Sequence, residues 1–284
     1  MDKRVLLRKM RKNRQFMLGL TVFVLIVLSC IVIPVFLKWD PLGVDLHSRL
    51  TPPDYFSKGG DGHILGTDPL GRDMLTRLLS GGRSSLFIAF AVVIPTVAIG
   101  IIAGLCAGFF GGWVDRIIMR ICNIMMALPS LLLAICIVAI LGASFRNLII
   151  TMTITSWTMT CRMVRGSVLA IRNTEYVQAS TVIGASRLRT MLKEIFPNVL
   201  TPVLITASQQ FGGVTMNEAS MSFLGCGIPV PTPSWGSMIS DGRAYLASAP
   251  WVCIVPGIML MLTVMSFNFI GNGLRDIFDP KNID

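Results

Sequence analysis

Long apolar runs separated by short charged stretches dominate this sequence. About 20 consecutive apolar residues are enough for a helix to cross the hydrocarbon core of a bilayer. Six runs approach or exceed that length, at residues 16–37, 86–110, 117–141, 148–163, 199–224 and 251–270. The pattern therefore predicts an all-α, polytopic membrane protein with about six transmembrane helices.

The basic residues predict how these helices are oriented. Seven of them precede the first apolar run, against a single acid, Asp2, and a second basic stretch lies at 162–193. Membrane proteins keep loops rich in Lys and Arg in the cytoplasm, so both stretches are predicted to be cytoplasmic. Six helices then place the N- and C-termini together on the cytoplasmic side.

These features predict an order of segments along the chain. They are a basic cytoplasmic N-terminus (1–15), a first transmembrane helix (16–38), an external segment (39–83), a five-helix core (84–273) and a cytoplasmic tail (274–284). The external segment combines Asp residues with several Pro and Gly, as expected of a polar segment outside the bilayer. Within the core, residues 165–198 are predicted to form a cytoplasmic loop.

Composition agrees with a lipid environment. Charged residues make up 14% of the chain, against about 25% in an average soluble domain. The net charge of +10 comes from short basic stretches between apolar runs, and no nucleic-acid-binding pattern accompanies it, so no nucleic acid partner is expected. The seven cysteines form no CxxC pair and are interpreted as small packing residues.

The second apolar run carries a glycine pattern. Gly100, Gly104, Gly108 and Gly112 recur every four residues and therefore share one helix face. Small residues at this spacing allow a neighbouring helix backbone to approach closely. We therefore predict a tightly packed helix pair here, although membrane helices also tolerate glycine in general.

The cytoplasmic loop has the pattern of two short helices joined by a tight turn. Asn173 or Thr174 can cap the first helix, with Glu175 in its favourable first turn. Gly184 can end that helix in a left-handed conformation. The pattern continues with Ser186, as the cap of a second helix, and with Pro197, as the end of the unit before the fifth apolar run.

The first of these two helices carries Ala179 and Ile183 on one face. A small and an apolar residue at this spacing suit a groove in a protein partner. The alternative is an amphipathic helix on lipid headgroups, which would favour large apolar residues such as Trp, Phe and Leu. The sequence therefore favours a protein partner.

The same loop resembles the EAA loop of bacterial ABC-importer permeases, which docks into a groove of the ATPase subunit. Ala179-Ser180, Gly184 and Pro197 carry the resemblance. Gln178 stands where the general motif has Glu, but in the peptide-importer branch the acid lies earlier, as Glu175 does here. The coupling residues that the resemblance implies are Glu175, Tyr176, Val177, Ala179, Ser180, Gly184, Ala185 and Pro197.

Four other stretches resemble the dipeptide/oligopeptide/nickel branch of that family. They are residues 65–73, 217–225, 231–236 and 271–276, and the long external segment is similar to that of the C-type permease of each pair. The resemblance implies the type I ABC importer permease fold in a bacterial or archaeal cytoplasmic membrane. It also implies three kinds of partner: a homologous B-type permease in a heterodimer, two ATP-binding subunits and an extracytoplasmic solute-binding protein.

The sequence lacks the common catalytic and cofactor-binding motifs, which favours a transport subunit over an enzyme. A P-loop requires Gly-Lys-Ser/Thr, and the sequence has no Gly-Lys dipeptide. ATP and Mg are therefore expected on the separate ATPase subunits, and no cofactor on this chain. HExxH, GxSxG and metal-spaced Cys/His clusters do not occur. His47 and His63, both in the external segment, are interpreted as ordinary loop residues rather than as metal ligands.

Glu218 lies in the fifth apolar run near its external end, where an ionisable group is costly. It is predicted either to contact a peptide amino group in the translocation path or to hydrogen-bond a neighbouring helix and hold an external gate in shape. Ser222, Pro233 and Trp235 are assigned to the same path or gate, because the loop at 231–242 is expected to enter the external mouth.

A compact charged turn lies in the external segment. Asp68, Arg72 and Asp73 form it, and they either dock the solute-binding protein or pair with one another and fold the segment. Exposed ion pairs contribute only about 0–1 kcal/mol. Both interpretations remain open from the sequence.

The predicted function is uptake of dipeptides or oligopeptides by an ATP-driven ABC importer, with this chain as a transmembrane permease subunit. Nickel or other metal chelates and glutathione are alternative cargoes of the same machine, because specificity largely resides in the binding protein. The alternative of a different class is an ion-coupled secondary transporter. Such a transporter usually needs intramembrane acids or bases, and Glu218 is the one clear candidate.

Overall fold

A computed structural model describes residues 3–36, 40–54 and 62–278 of the chain. Parts of the predicted segments that fall at 1–2, 37–39, 55–61 and 279–284 lie outside the described residues. Within the described ranges the regular structure is helical, and the one strand-like feature is an isolated bridge between Thr67 and Asp73. The all-α prediction is confirmed.

The helices follow one another with mostly short connections. In chain order they are α1 (Lys3–Lys12), α2 (Arg14–Phe36), α3 (Met74–Phe110), α4 (Gly112–Met126), α5 (Ser130–Leu141), α6 (Phe145–Ile171), α7 (Glu175–Val182), α8 (Arg187–Arg189), α9 (Phe196–Phe223), α10 (Trp235–Gly242) and α11 (Trp251–Phe278). A π-helix, Thr190–Ile195, joins α8 to α9 without a break.

Side-chain caps set where the long helices begin. Asp73 accepts a hydrogen bond from the Thr76 N–H at 2.8 Å at the start of α3, and Ser144 accepts one from the Asn147 N–H at 3.1 Å at the start of α6. Such caps satisfy N–H groups that have no partner within the helix. α3 ends at Gly111, whose φ of +65° disfavours any residue with a Cβ. Both ends of α3 are therefore encoded locally.

Three helices are long and apolar enough to cross a membrane on their own: the Arg14–Val35 part of α2, α3 and α11. The pair α4 and α5 passes the same test only when taken together. α6 and α9 have 27 and 28 residues, which at about 1.5 Å per residue exceeds the roughly 30 Å of a bilayer core. These two helices are less apolar because they carry hydroxyl and amide side chains, and several of these, such as Thr151 and Thr160, are buried.

The predicted third transmembrane helix at 117–141 is broken into two helices. α4 ends at Met126, the chain turns at Pro129, and α5 begins at Ser130. Proline has no N–H for a helix and disfavours helical conformation in the residue before it. The segment is therefore an elbow of two helices bent by 88°.

Two other helices are longer than predicted. The second predicted helix starts at Met74 rather than at residue 86, because its first turns contain arginines and glycines that resemble a loop in composition. Arg83 in this part donates from Nε to the Cys30 carbonyl of α2 at 2.7 Å. α6 likewise extends beyond the predicted 148–163 at both ends, and its arginines pair with polar side chains of α4.

α3 and α6 pack through the predicted glycine pattern. A Cβ on Gly100, Gly104 or Gly108 would lie only 2.5–2.7 Å from atoms of α6, so these three positions leave no room for a side chain. We call this contact the glycine seam. The prediction of close packing is confirmed for these three residues and wrong for Gly112, which has open space around it and a φ of +53° at the break between α3 and α4.

Candidate functional site

α7 has one anchored face and one bare face. Val177 is 3% exposed and belongs to an apolar cluster with residues of α6 and α9. On the opposite side Ala179 is exposed, and Val182 and Ile183 are 86% and 85% exposed. Exposed apolar patches of this kind mark contact sites for proteins or membranes. We call Ala179, Val182 and Ile183 the docking face.

The turn after α7 has the predicted geometry. Gly184 follows α7 with a φ of +87°, as predicted, and Ser186 accepts a hydrogen bond from the Arg189 N–H at 3.3 Å to start α8. Thr174 occupies the N-cap position of α7, but its hydroxyl donates to the Ile171 carbonyl at 2.7 Å and caps nothing. The docking face is therefore held between a tight turn and the end of α6.

Contacts with α9 hold the rest of α7 in place. Asn198 of α9 donates from Nδ2 to the Tyr176 phenol oxygen at 3.2 Å. Pro197 lies within the first turn of α9, where its missing N–H is tolerated, so the prediction that it ends the unit before this helix is wrong. The remaining predicted coupling residues are Glu175, which is exposed, and Ser180 and Ala185, which are half-buried.

Glu218, near the far end of α9, is fully buried and hydrogen-bonded. Its carboxylate accepts from the Ser85 hydroxyl of α3 at 3.1 Å and from the Ser222 hydroxyl at 2.8 Å. The Ser234 hydroxyl lies 3.4 Å from that of Ser222, and the Trp235 N–H donates to Ser85 Oγ at 3.3 Å. We call these five residues the Glu218 cluster. It ties α3, α9 and α10 together through polar atoms.

Trp235 fills the space between α10 and α3. Its side chain is fully buried, and Nε1 donates to the Leu78 carbonyl at 3.0 Å. A Cβ on Gly82 would lie 2.8 Å from the indole ring, so the ring lies directly on the α3 backbone. Pro233 is also buried and precedes Ser234, the cap of α10. The four residues predicted for the path or gate therefore lie together.

A charged cluster fastens the external segment to α10. Asp68 accepts from Arg72 Nε at 2.6 Å, and Arg77 Nε lies 3.2 Å from the same carboxylate oxygen. Arg77 also approaches Asp241 of α10, with Nη2 3.6 Å from a carboxylate oxygen. Burial raises the pKa of Asp241, and the guanidinium groups of Arg77 and Arg72 offset part of this rise. We call these four residues the Asp68 cluster.

The predicted charged turn is thus largely internal. Asp68 and Asp73 are 3% and 7% exposed, and Arg72 is 11% exposed. Asp73 caps α3 and contacts His63 Nδ1 at 2.9 Å. This geometry supports the alternative in which the three residues fold the segment, and it leaves little of them available for a docking partner.

A cavity of about 580 Å³ lies among α4, α5, α6 and α9. Its walls combine thioethers, hydroxyls and amides, and none of its lining residues carries a formal charge. Glu218 is not among them. The lining side chains that matter below are Met126, Ser156, Met159, Gln209, Gln210 and Asn217.

The geometry is that of a helical membrane protein, and comparison with known proteins identifies it as a permease of the ABC-importer class. The family described as binding-protein-dependent transport system inner membrane component matches residues 96–284, and the N-terminal transmembrane domain of oligopeptide transport permease C matches residues 4–53. The first match covers more than half of the chain. This protein belongs to the family of binding-protein-dependent transport system inner membrane components.

Individual relatives match nearly the whole chain. The dipeptide transport system permease protein DppC of Escherichia coli is 44% identical over 275 residues, which cover 95% of this chain and 90% of the relative. The oligopeptide transport system permease protein OppC of Bacillus subtilis is 41% identical over 273 residues, covering 96% and 88%. DppC of Alkalihalophilus pseudofirmus is 38% identical over 274 residues, also covering 96% and 88%.

A solved structure matches the fold. An inward-facing MetNI methionine ABC transporter structure superimposes with a TM-score of 0.61 at 20% identity, over 72% of this chain and 98% of the other. At that identity the likeness establishes the fold alone. The type I ABC importer permease fold is confirmed.

Several residues of these sites escape sequence reasoning. No sequence motif marks Ser85, Arg77 or Asp241. Their roles are visible only in the folded structure, where segments distant in sequence come into contact. The cavity has a weak sequence signal: Gln209, Gln210 and Asn217 interrupt an otherwise apolar run, and polar residues inside a membrane helix usually face the protein interior or a water-filled path.

Proposed function

We propose that this chain is one permease subunit of an ATP-driven importer that takes up dipeptides or oligopeptides from a solute-binding protein. The observation that carries the proposal is the bare docking face on a chain whose relatives are named peptide transport permeases. The permease works in the cytoplasmic membrane of a bacterium or archaeon. Its basic N-terminus and its C-terminus lie in the cytoplasm, since Lys and Arg accumulate on that side.

The partners follow from what the chain lacks. Its sequence contains no P-loop, so two separate ATP-binding subunits supply ATP and Mg. A homologous B-type permease completes the translocation path. An extracytoplasmic solute-binding protein delivers the cargo. The chain itself needs no bound cofactor for this role.

The coupling step acts through α7. An ATPase groove covers Ala179, Val182 and Ile183, whose apolar surface has no partner within the described part of this chain. Val177, on the opposite face, packs into the cluster that contains Ile195 and Val199 of the α9 region. Closure of the ATPases therefore moves α7 and, through this close packing, α6 and α9 with it.

The gating step involves the other end of α9. Glu218 holds α9 to α3 through Ser85 and indirectly to α10 through Ser222 and Ser234. Its burial and its hydrogen bonds to Ser85 and Ser222 support the role of holding a gate in shape rather than contacting a peptide. A movement of α9 relative to α3 then opens the path on the external side.

The test is uptake of a labelled dipeptide into proteoliposomes that contain the purified complex, with its binding protein outside and ATP inside. We expect uptake that requires ATP and that unlabelled peptides compete. ATP turnover stimulated by the binding protein without peptide uptake would contradict the peptide cargo and direct the search to metal chelates or glutathione. Uptake driven by an ion gradient without ATP would contradict the ABC mechanism.

The coupling role is tested by Ala179→Glu, which places a charge on the docking face. We expect loss of ATP-dependent uptake while the chain still inserts with its partner permease. The control is Ala143→Glu, because Ala143 is an exposed alanine in the connection between α5 and α6. Normal uptake by Ala179→Glu would contradict the coupling role.

A further inference from the structure

The cavity among α4, α5, α6 and α9 is built without charge. Each of its lining residues is neutral, although acids and bases lie close by in sequence. Glu218 directly follows Asn217 but is buried in its own cluster, and Arg162 follows Met159 by one turn of α6 but pairs with Asn123. The neighbouring charges are thus engaged elsewhere, and the cavity stays neutral.

The polar groups that remain in the cavity are amides and hydroxyls. Gln210 donates from Nε2 to the Thr160 hydroxyl at 2.8 Å, which fixes its side chain. Its Oε1 is enclosed by the protein, so Gln210 offers the cavity no free acceptor. Gln209 and Asn217 add further side-chain amides, each able to donate and to accept. The cavity therefore presents uncharged donors and acceptors that are available to a bound molecule.

The apolar part of the lining is adaptable. Met126 and Met159 line the cavity, together with Met125. Methionine side chains are flexible and polarisable, and they pack against apolar groups of different shapes. The volume of about 580 Å³ falls in the range of about 300–1,000 Å³ that small-molecule sites occupy.

We propose that this cavity contacts the peptide main chain during passage and is built to disregard side-chain charge. A peptide main chain is a row of N–H donors and carbonyl acceptors that is the same whatever the side chains. The side-chain amides of Gln209 and Asn217 match that constant part, and the methionines accommodate the variable part. Peptides that differ in net charge then cross at similar rates, so charge selection is left to the binding protein. This inference rests on the proposed function.

The test places one charge in the cavity. Gln209 is exposed to it, so Gln209→Glu and Gln209→Lys introduce opposite charges at one position, and Gln209→Met is the neutral control. Gln15→Glu and Gln15→Lys are matched controls, because Gln15 is an exposed glutamine of α2 outside the cavity. ATP-dependent uptake is measured for Ala-Asp, Ala-Ala and Ala-Lys. Each rate is divided by that of the unmodified complex, so that the preference of the binding protein cancels.

We expect the unmodified complex to transport all three peptides and the charged variants to separate them. Gln209→Glu should slow Ala-Asp relative to Ala-Lys by about tenfold, and Gln209→Lys should reverse the order, since charges a few ångströms apart interact strongly inside a protein. Equal effects on all three peptides would overturn the inference. Absence of uptake of any peptide by the unmodified complex would instead overturn the proposed function.

A second version adds the charge after folding. Ser156→Cys introduces a small thiol in the cavity lining, and the assembled complex is then treated with anionic or cationic methanethiosulfonate reagents. The unmodified chain, with its own free cysteines, receives the same reagents as the control. Opposite charge preferences after the two reagents support the inference. Identical residual uptake of the three peptides after both reagents would overturn it.

Discussion

The glycine seam offers a sharp test of the packing between α3 and α6. In Gly104→Ala the added Cβ would lie 2.6 Å from both the Cys161 carbonyl oxygen and the Val164 Cβ. Two of the atoms that it meets belong to the backbone or to the start of a side chain and have no rotamer by which to move away. The two helices must therefore separate locally.

The magnitude follows from two opposing terms. Overpacking of a tight core costs about 1–3 kcal/mol, whereas replacing glycine by alanine within a helix contributes up to about 1 kcal/mol of stability. With the full helix term subtracted, the net loss for Gly104→Ala is about 0–2 kcal/mol. Gly166→Ala is the matched control on α6, because a Cβ there meets no atom within 4 Å and only the favourable helix term remains.

The assay is thermal unfolding of the detergent-solubilised complex, followed by intrinsic fluorescence and by loss of binding between the permeases. For chains of this size, each kcal/mol of change in the free energy of unfolding shifts the midpoint temperature by about 2–4 °C. We expect the midpoint to fall for Gly104→Ala and to stay level or rise for Gly166→Ala. Equal midpoints for the two variants would refute the argument that the seam leaves no room for a methyl group.

Three further perturbations address the polar clusters. Glu218→Ala leaves the buried Ser85 hydroxyl without the carboxylate to which it donates, which should lower stability by about 1–3 kcal/mol per lost partner. Glu218→Gln should keep most of the stability. Equal losses of stability in the two variants, measured by thermal unfolding, would contradict this. Asp68→Ala removes the nearer of the two carboxylates of the buried Arg77 and leaves Asp241, 3.6 Å away. We therefore expect a loss smaller than the roughly 3–5 kcal/mol of a fully unpaired buried charge, together with faster proteolysis of the external segment. Unchanged proteolysis would be the contrary result. Trp235→Phe keeps an aromatic ring but is smaller than the indole and loses its hydrogen bond to the Leu78 carbonyl, so gating should loosen. Loosened gating would be seen as ATP turnover without the binding protein, and tight coupling would argue against that role.

Apolar runs reveal where helices cross a membrane but not where they end. The start of α3 contains arginines and glycines and resembles a loop, yet it is helical because Asp73 caps it and α2 and α10 surround it. The elbow at Pro129 is hidden for the opposite reason, since hydropathy continues across it. In both cases the helix boundary depends on a local interaction that an average of hydropathy along the sequence does not detect.

The candidate sites divide in the same way. Ala179 and Ile183 of the docking face could be predicted because their signals, with Gly184 and Ser186, lie within one short segment. Val182 was not predicted, and Val177, predicted as a coupling residue, lies buried on the opposite face. The Glu218 cluster could be predicted only in part. Ser85 is 133 residues away in sequence from Glu218, and no local pattern connects the two. The neutral cavity requires residues from four helices, so only the fold brings its lining together.

α3 connects the two ends of the molecule. Its 37 residues extend about 55 Å at 1.5 Å per residue, well beyond a bilayer core of about 30 Å. One end contacts the Glu218 cluster through Ser85 and the Leu78 carbonyl. The other end packs on α6 along the glycine seam, where Arg172 donates to the Gly108 carbonyl at 2.9 Å.

α6 leads directly into α7, so a force on the docking face reaches the seam through a connection of only three residues, 172–174. A seam packed without space transmits small displacements, because close-packed interiors deform little. A methyl group at Gly104 should therefore do more than lower stability. It should also weaken the link between ATP turnover and peptide uptake. In Glu218→Ala, by contrast, the complex should still assemble, and its first defect should be in gating. The ratio of peptide uptake to ATP turnover is measured in both variants at the same fraction of folded complex. This ratio distinguishes loss of movement transmitted along α3 from simple loss of folded protein.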